Sequence, residues 1–165
     1  MSNVIKANPL YSGTDQPGVI GKIYEQLFDD SSGNTMVRYL RCFKAGSAVT
    51  AGQLIGCAAG AGESEMHTVG TSLPVPDAAM PKTRVYGVAL ATVASGSYGF
   101  CVCRGVVSVS AHTDVNAEGK FLATYTTDGM VQDDAAIGAG ASYTIVGISL
   151  AAQSGGSASA YINVL

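Results

Sequence analysis

Two histidines, four cysteines and two pairs of adjacent acids are the residues of this chain whose types and spacing bear first on chemistry. Cys101 and Cys103 stand two apart, which puts both on one face of a strand, and with His67 and His112 they supply the atom types of a zinc site. The spacing argues against one: no CxxC occurs, and the histidines fall in an irregular stretch and in a turn. Asp29 with Asp30 and Asp133 with Asp134 lie in turn-like text, where aspartate satisfies its own backbone, and the alternating oxygen ligands of a calcium loop are missing. "GISLA", from Gly147 to Ala151, grazes the hydrolase pattern GxSxG but sits inside a strand pattern, whereas a nucleophile elbow needs a strand-to-helix turn. No glycine-rich phosphate motif opens a helix. The sequence thus assigns no catalytic, cofactor-binding or metal-ligating residue, and implies a protein that is not an enzyme and uses no cofactor.

Composition explains what such a chain can be. Its 165 residues suffice for one domain that buries about 70% of the unfolded surface. Apolar residues make up 47% but charged ones only 13%, and much of the rest is Gly, Ala, Ser and Thr. Small and β-branched side chains favour strands and tight turns over long helices. Nine Lys and Arg against twelve Asp and Glu, with no basic run, remove the electrostatic footprint of a nucleic-acid binder. "MSNVIKANPLYSG" has neither the apolar core nor the cleavage motif of a signal peptide, and no stretch approaches eighteen apolar residues, so no membrane partner is expected. Without an export signal, the cysteines (Cys42, Cys57, Cys101, Cys103) are expected to be free, buried thiols.

Residues 1–34 differ from the rest, with Pro9, Gly13, Pro17, Gly18 and the turn text "DDSSGN". Within them Ile20, Ile23, Tyr24, Leu27 and Phe28 fall at helical spacing, with Asp15 as a cap and Pro17 in the first turn. The spacing predicts a short amphipathic helix in an N-terminal arm; a hairpin with "MVRYLRCF" across DDSSGN is the competing reading. These five residues are the candidate protein interface. Residues 35–165 read as one β domain, interrupted by an irregular, Pro-containing excursion at about 60–83. Strands are expected over "MVRYLRCF", from near Gln53, and at about 84–92, 97–109, 120–126, 143–151 and 158–165.

Two of these strand pairs share a cadence: "VYGVALATVASGSYGFCVC" begins at Val85, and "IVGISLAAQSGGSASAYIN" begins sixty residues later at Ile145. Alternation predicts Tyr86, Val88 and Leu90 on one face and Val85, Gly87 and Ala89 on the other, with Val146, Ile148 and Leu150 repeating the large face. Ser95–Gly96–Ser97 and Gly155–Gly156–Ser157 then make the turns. The duplicated unit is a hairpin, and two imperfect copies do not make a solenoid.

The phrase "AGSAVTAGQLIG" has the grammar of a carrier-domain turn but lacks the lysine-bearing tip. In order, it is followed by "VYGVALATVASGSYGFCVCRGVVSV", "VNAEGKFLATYTTDGMV" and "TIVGISLAAQSGGSASAYINVL". This succession, over residues 44–165, resembles the capsid decoration, or cement, proteins of tailed bacteriophages. The resemblance has no counterpart for residues 71–82 or for the first thirty-odd residues. It implies a mainly β fold, a small antiparallel β-barrel or sandwich of the β-tulip or jelly-roll kind with an N-terminal arm. It also implies a homotrimer, made in the host cytoplasm, that binds the major capsid protein on the outer surface of the head and holds capsomers together. The competing expectations are another phage structural subunit, of tail tube, connector or fibre, and a small-ligand binding module using the excursion and His67.

Overall fold

The computed structural model describes residues 8–29, 32–57, 65–68, 84–124, 129–136 and 144–165. Among them are ten strands and one 3-10 turn, with no α-helix. The strands are β1 (Ile23–Asp29), β2 (Thr35–Ala45), β3 (Leu54–Cys57), β4 (Glu65–Thr68) and β5 (Arg84–Ala89), followed by β6 (Tyr98–Ser110), β7 (Phe121–Thr124), β8 (Gln132–Asp133), β9 (Thr144–Ser149) and β10 (Ser157–Asn163). The fold is mainly β and sandwich-like, as the composition implies. The strands form one sheet in the order β1-β2-β4-β3-β5-β6-β10-β9-β7-β8, antiparallel except for β2–β4, with a further pairing of β2 to β6. Its end strands, β1 and β8, do not meet, so the sheet as a whole is not closed into a barrel.

The pairings reveal a duplication far longer than the hairpin cadence. The first unit is β2-β3-β4-β5-β6 and the second is β6-β7-β8-β9-β10, with β6 serving both. Lys44 faces Tyr98 in the first unit as Ser110 faces Ser157 in the second. Ile55 faces Gly87 and Thr68, as Leu122 faces Gly147 and Asp133. Ala45 meets Met66 in parallel, as Ala111 meets Val131. In each unit the first strand therefore lies beside the last and also meets the third, so the unit curls back on itself. Thirteen-residue β6 can play two roles because a register shift interrupts its pairing with β2 between Tyr39 and Leu40, and bulges of this kind bend a strand.

Even the irregularities repeat. The β3–β5 register slips between Ile55 and Gly56, and the β7–β9 register slips between Leu122 and Ala123. Beside each slip stands a glycine that no other residue can replace: a Cβ on Gly87 would sit inside contact distance of the Val102 carbonyl oxygen, and one on Gly147 inside that of Tyr161. Backbone on backbone at this range leaves no room for a methyl group.

These slips correct the alternation read from sequence. Val85 and Val88 share the larger core cluster, while Ala89 and Tyr86 belong to the smaller one. In the second unit Val146 is buried, but Ile148 and Leu150, expected on one face with it, are exposed. The larger cluster joins both units through Leu40, Leu54, Phe100, Val102, Leu122 and Ile162. The smaller, with Phe43, Ala45, Val49, Ile55, Val93 and Cys101, belongs to the first unit alone.

Two further expectations change. Residues 23–29 form β1, paired residue by residue with β2 from Ile23↔Arg41 to Asp29↔Thr35, so the hairpin stands and the amphipathic helix does not. The excursion at about 60–83 contains β4, which joins β2 and β3; its other residues lie outside those described.

Candidate interaction surfaces

The arm lies on the first unit and continues into the sheet. Tyr98 N–H donates to the Gly13 carbonyl at 2.7 Å, Gly21 N–H to the Cys42 carbonyl at 3.0 Å, and Ile20 bridges to Cys42 in parallel. Tyr11 and Tyr24 pack on the larger core cluster, with the Tyr24 ring edge-on to Phe100 at 6.0 Å and 87°. Val19 N–H donates to the Tyr24 hydroxyl at 2.8 Å, which fixes the ring. Strand alternation then divides the five candidate interface residues. Tyr24 and Phe28 are partly covered, and Phe28 lies under the Arg38 guanidinium at 4.4 Å. Arg38 Nε donates to Gln26 Oε1 at 2.6 Å, while burial lowers the Arg38 pKa. Ile20 is half-buried against β2, whereas Ile23 and Leu27 face outward. The five do not make one stripe, because a strand sends neighbours to opposite sides.

By alternation the outward side of this hairpin carries Ile23, Glu25, Leu27 and Asp29 opposite Arg41, Tyr39, Val37 and Thr35, so its one apolar pair is flanked by polar and charged residues. Leu27 is 61% exposed and lies opposite Val37, which is 41% exposed. β2 pairs with β6 only from Tyr39 onward, while the Val37 and Arg38 backbone still lies against Gly105 of β6.

A second apolar surface lies at the other end of the chain. Phe121, Ile148 and Tyr161 stand directly opposite one another across β7, β9 and β10, and are 53%, 39% and 37% exposed. Ile145 and Leu150 extend the patch. Arg104 Nε reaches the Tyr161 hydroxyl at 3.2 Å and gives it a polar margin. Sequence reasoning missed this surface because it assigned Ile148 and Leu150 to the core; the available signal was that β9 is apolar on both sides.

No protein-family model and no curated protein sequence matches the chain. The residues and their geometry therefore carry the functional reading.

The residues first weighed for chemistry are dispersed. His67 falls on β4, opposite Gly56, while His112 lies in the turn after β6 with Nδ1 3.2 Å from Asp114 Oδ2. Among the described residues no three His, Cys, Asp or Glu side chains gather as a metal-holding group. Cys42, Cys101 and Cys103 are free and buried. Desolvation pushes the Cys42 thiol up to about 11, against a hydrogen bond from the Gly18 backbone, and raises those of Cys101 and Cys103 too. Thiols so held are inert. The Ser149 hydroxyl, from the "GISLA" phrase, is fully engaged: it donates to the Ala117 carbonyl and accepts from Lys120 N–H, both at 2.9 Å.

Of the paired acids, Asp29 accepts from the Thr35 hydroxyl at 2.8 Å, and Asp30 lies outside the described residues. Asp133 forms a knot with Lys120, whose Nζ is 2.7 Å from Oδ2, and with Ala135 N–H at 3.1 Å. Burial opposes the Asp133 charge, but the Lys120 and Ala135 hydrogen bonds and the lysine charge outweigh it and hold the carboxyl below its usual value. Asp114 ties the same region, accepting from Gln132 Nε2 and Asp133 N–H. An open cleft of about 310 Å³ lies between arm and sheet, lined by Leu10, Arg38, Gly52, Val107 and Ser110 among others. Its one cation, Arg38, is already engaged by Gln26 and Phe28.

Proposed function

We propose that the chain is a structural virion protein that decorates the outside of a tailed-phage head as a homotrimer and stabilises contacts between capsomers. The phrase order over residues 44–165 carries this reading through its resemblance to cement proteins. What supports it further is the distribution of apolar surface: a β body of two like units, with an arm that leaves Leu10, Val19 and Ile23 exposed. An arm of this kind binds by laying backbone and apolar side chains along a neighbour. Repeated over a shell, modest affinity per copy is enough. In this reading the arm's leading segment meets the major capsid protein.

The test is sedimentation of the full chain with assembled heads of the phage that encodes it, beside a variant lacking residues 1–22. The full chain pellets with heads and the variant, still folded by circular dichroism, stays in solution. A full chain that remains in the supernatant at saturating heads overturns the reading. Assembly into rings or shafts without heads transfers the chain to a tail or connector role.

A further inference from the structure

The two units differ along one strand edge. Lys44 opposite Tyr98 matches Ser110 opposite Ser157, so Leu40 and Cys42 on β2 hold the places of Val106 and Ser108 on β6. In the first unit the arm closes this edge: Tyr24 pairs with Leu40, Ile20 bridges to Cys42 in parallel, and Gly21 N–H donates to the Cys42 carbonyl at 3.0 Å. In the second unit neighbouring bonds locate the same edge. Ser110 N–H donates to the Gly52 carbonyl and the Ser110 carbonyl accepts from Val131 N–H, both at 2.8 Å, so the peptide groups of Ser110 point away from β10. Alternation along the strand turns those of Val106 and Ser108 the same way. The Ser159 carbonyl, opposite Ser108, agrees: it faces away from β6 and accepts from Leu150 N–H at 2.8 Å. On this side β2 last pairs at Tyr39 with Arg104, and Gly52 arrives only at Ser110. Among the described residues no strand pairs with this side of β6 from Val106 to Ser108.

The cleft of about 310 Å³ opens along this gap, with Ser108 and Ser110 beside Arg38 and Gly52, and with Leu10 and Leu90 as apolar wall. An open strand edge beside an apolar wall takes an added strand: backbone groups supply the bonds and side chains fill the wall. We propose that residues 1–7 of the same chain, Met-Ser-Asn-Val-Ile-Lys-Ala, dock in this cleft as a strand on the Val106–Ser108 edge, with the apolar pair Val4 and Ile5 at its centre. Reach and tether select this occupant. Leu10 itself lines the cleft, so the segment leaves the described chain at the site. The turn that starts the arm is closed there, with Tyr11 N–H on the Asn8 carbonyl and Leu10 N–H on Asn8 Oδ1, both at 3.0 Å. Extended, residues 1–7 span roughly 23 Å, enough for the roughly 20 Å of β6 between Arg104 and Ser110. A tether this short holds the segment at an effective concentration in the millimolar range, which a segment from another molecule must exceed. The inference does not depend on shell binding, and Val19 and Ile23 of the same arm stay exposed for the shell.

Amide exchange followed by NMR on the full chain reads the contact. The Ser108 amide of the wild type exchanges roughly tenfold or more slowly than that of the full-length double variant Val4→Asp/Ile5→Asp, which puts charge at the centre of the segment. Ala51→Trp, at an exposed position lining the cleft, fills it and releases the same amide. The Val107 and Val109 amides, which by the same alternation face Ala160 and Ala158 of β10, stay protected in all three proteins and show that each is folded. A Ser108 amide that exchanges freely in the wild type, or that stays protected in the double variant, overturns the inference. Protection that appears only as protein concentration rises assigns the segment to a neighbouring copy and overturns docking within the chain. Exchange is measured without heads, so either result leaves the shell reading to its own sedimentation test.

Discussion

The first unit and the second share strand order, register and bulges, yet one turns its outward face into core and the other leaves it to solvent. Leu54 and Phe121 hold matching places, and the smaller of the two is the buried one. A β framework of this kind thus fixes where side chains point; what is laid over the framework decides whether they are buried. In the first unit that face joins the larger core cluster, beside the arm's Tyr11 and Tyr24 and the second unit's Leu122 and Ile162; in the second it is exposed.

The sharpest way to break the equivalence is at the glycines beside the two bulges. Gly87→Ala and Gly147→Ala each force a methyl into a neighbouring carbonyl, Val102 in one case and Tyr161 in the other. Neither backbone can yield without opening a strand pair, so each variant is expected to lose about 3 kcal/mol or more. Urea unfolding measures it. Equal losses establish that both units depend on the same close approach, whereas a large loss at Gly87 with none at Gly147 shows that the second unit tolerates strand separation.

Truncation on the outward faces comes next and should divide the units. Leu54→Ala removes a fully buried side chain and is expected to cost about 3 kcal/mol. Phe121→Ala, at the matching position, costs about 0.5 kcal/mol or less in the monomer, as exposed positions do.

The strands were legible because Val, Ile and Tyr alternate with small residues and Gly-Ser turns punctuate them. The duplication was legible only in its second half, from Val85 and Ile145, where the spacing between copies changes by a single residue, from sixty at Gly87 and Gly147 to fifty-nine at Tyr98 and Ser157. Its first half is hidden: the loops differ in length, and residues that match in place differ in type, as Leu54 and Phe121 do, because one is buried and the other exposed. The misread helix has a related cause. A strand with one apolar face shows simple alternation, but β1 is apolar on both, Tyr24 and Phe28 toward the chain and Ile23 and Leu27 away from it. Two superposed alternations mimic a helical stripe. The bulges also defeated the face assignment, since a slip of one residue exchanges the two sides of a strand.

A smaller difference lies at the turns that start β3 and β7. Gln53 N–H bonds the Thr50 carbonyl at 3.2 Å, whereas Lys120 N–H bonds Ser149 Oγ at 2.9 Å. Ala89, matching Ser149, has no hydroxyl to offer, and the first unit does without one. Ser149→Ala therefore leaves the Lys120 amide without that acceptor and is expected to lower stability by about 1 kcal/mol, read by denaturant unfolding. An unchanged midpoint means the turn closes in the second unit as it does in the first.

Acid stability is expected to belong to one unit. The Lys120–Asp133 pair is peculiar to the second: the matching places in the first hold Gln53 and Thr68. Asp133, its side chain only 7% exposed, has its carboxyl held below the usual value by Lys120 and Ala135 against the opposing effect of burial. The unfolded chain, with an ordinary aspartate near 3.9, takes up the proton first as pH falls. Stability from this group is thus fully present above about pH 4 and is lost as pH drops through the folded value. Asp133→Asn is expected to lower Tm by about 3 °C at pH 7, roughly 1 kcal/mol in a domain of this length. As pH falls below about 4 the gap to wild type should narrow, since the unfolded wild-type chain takes up the proton before the folded one. A gap that stays constant from pH 7 to pH 3 assigns the loss to the hydrogen bond that the side chain accepts from Ala135 N–H. The ion pair then contributes nothing that distinguishes the second unit from the first.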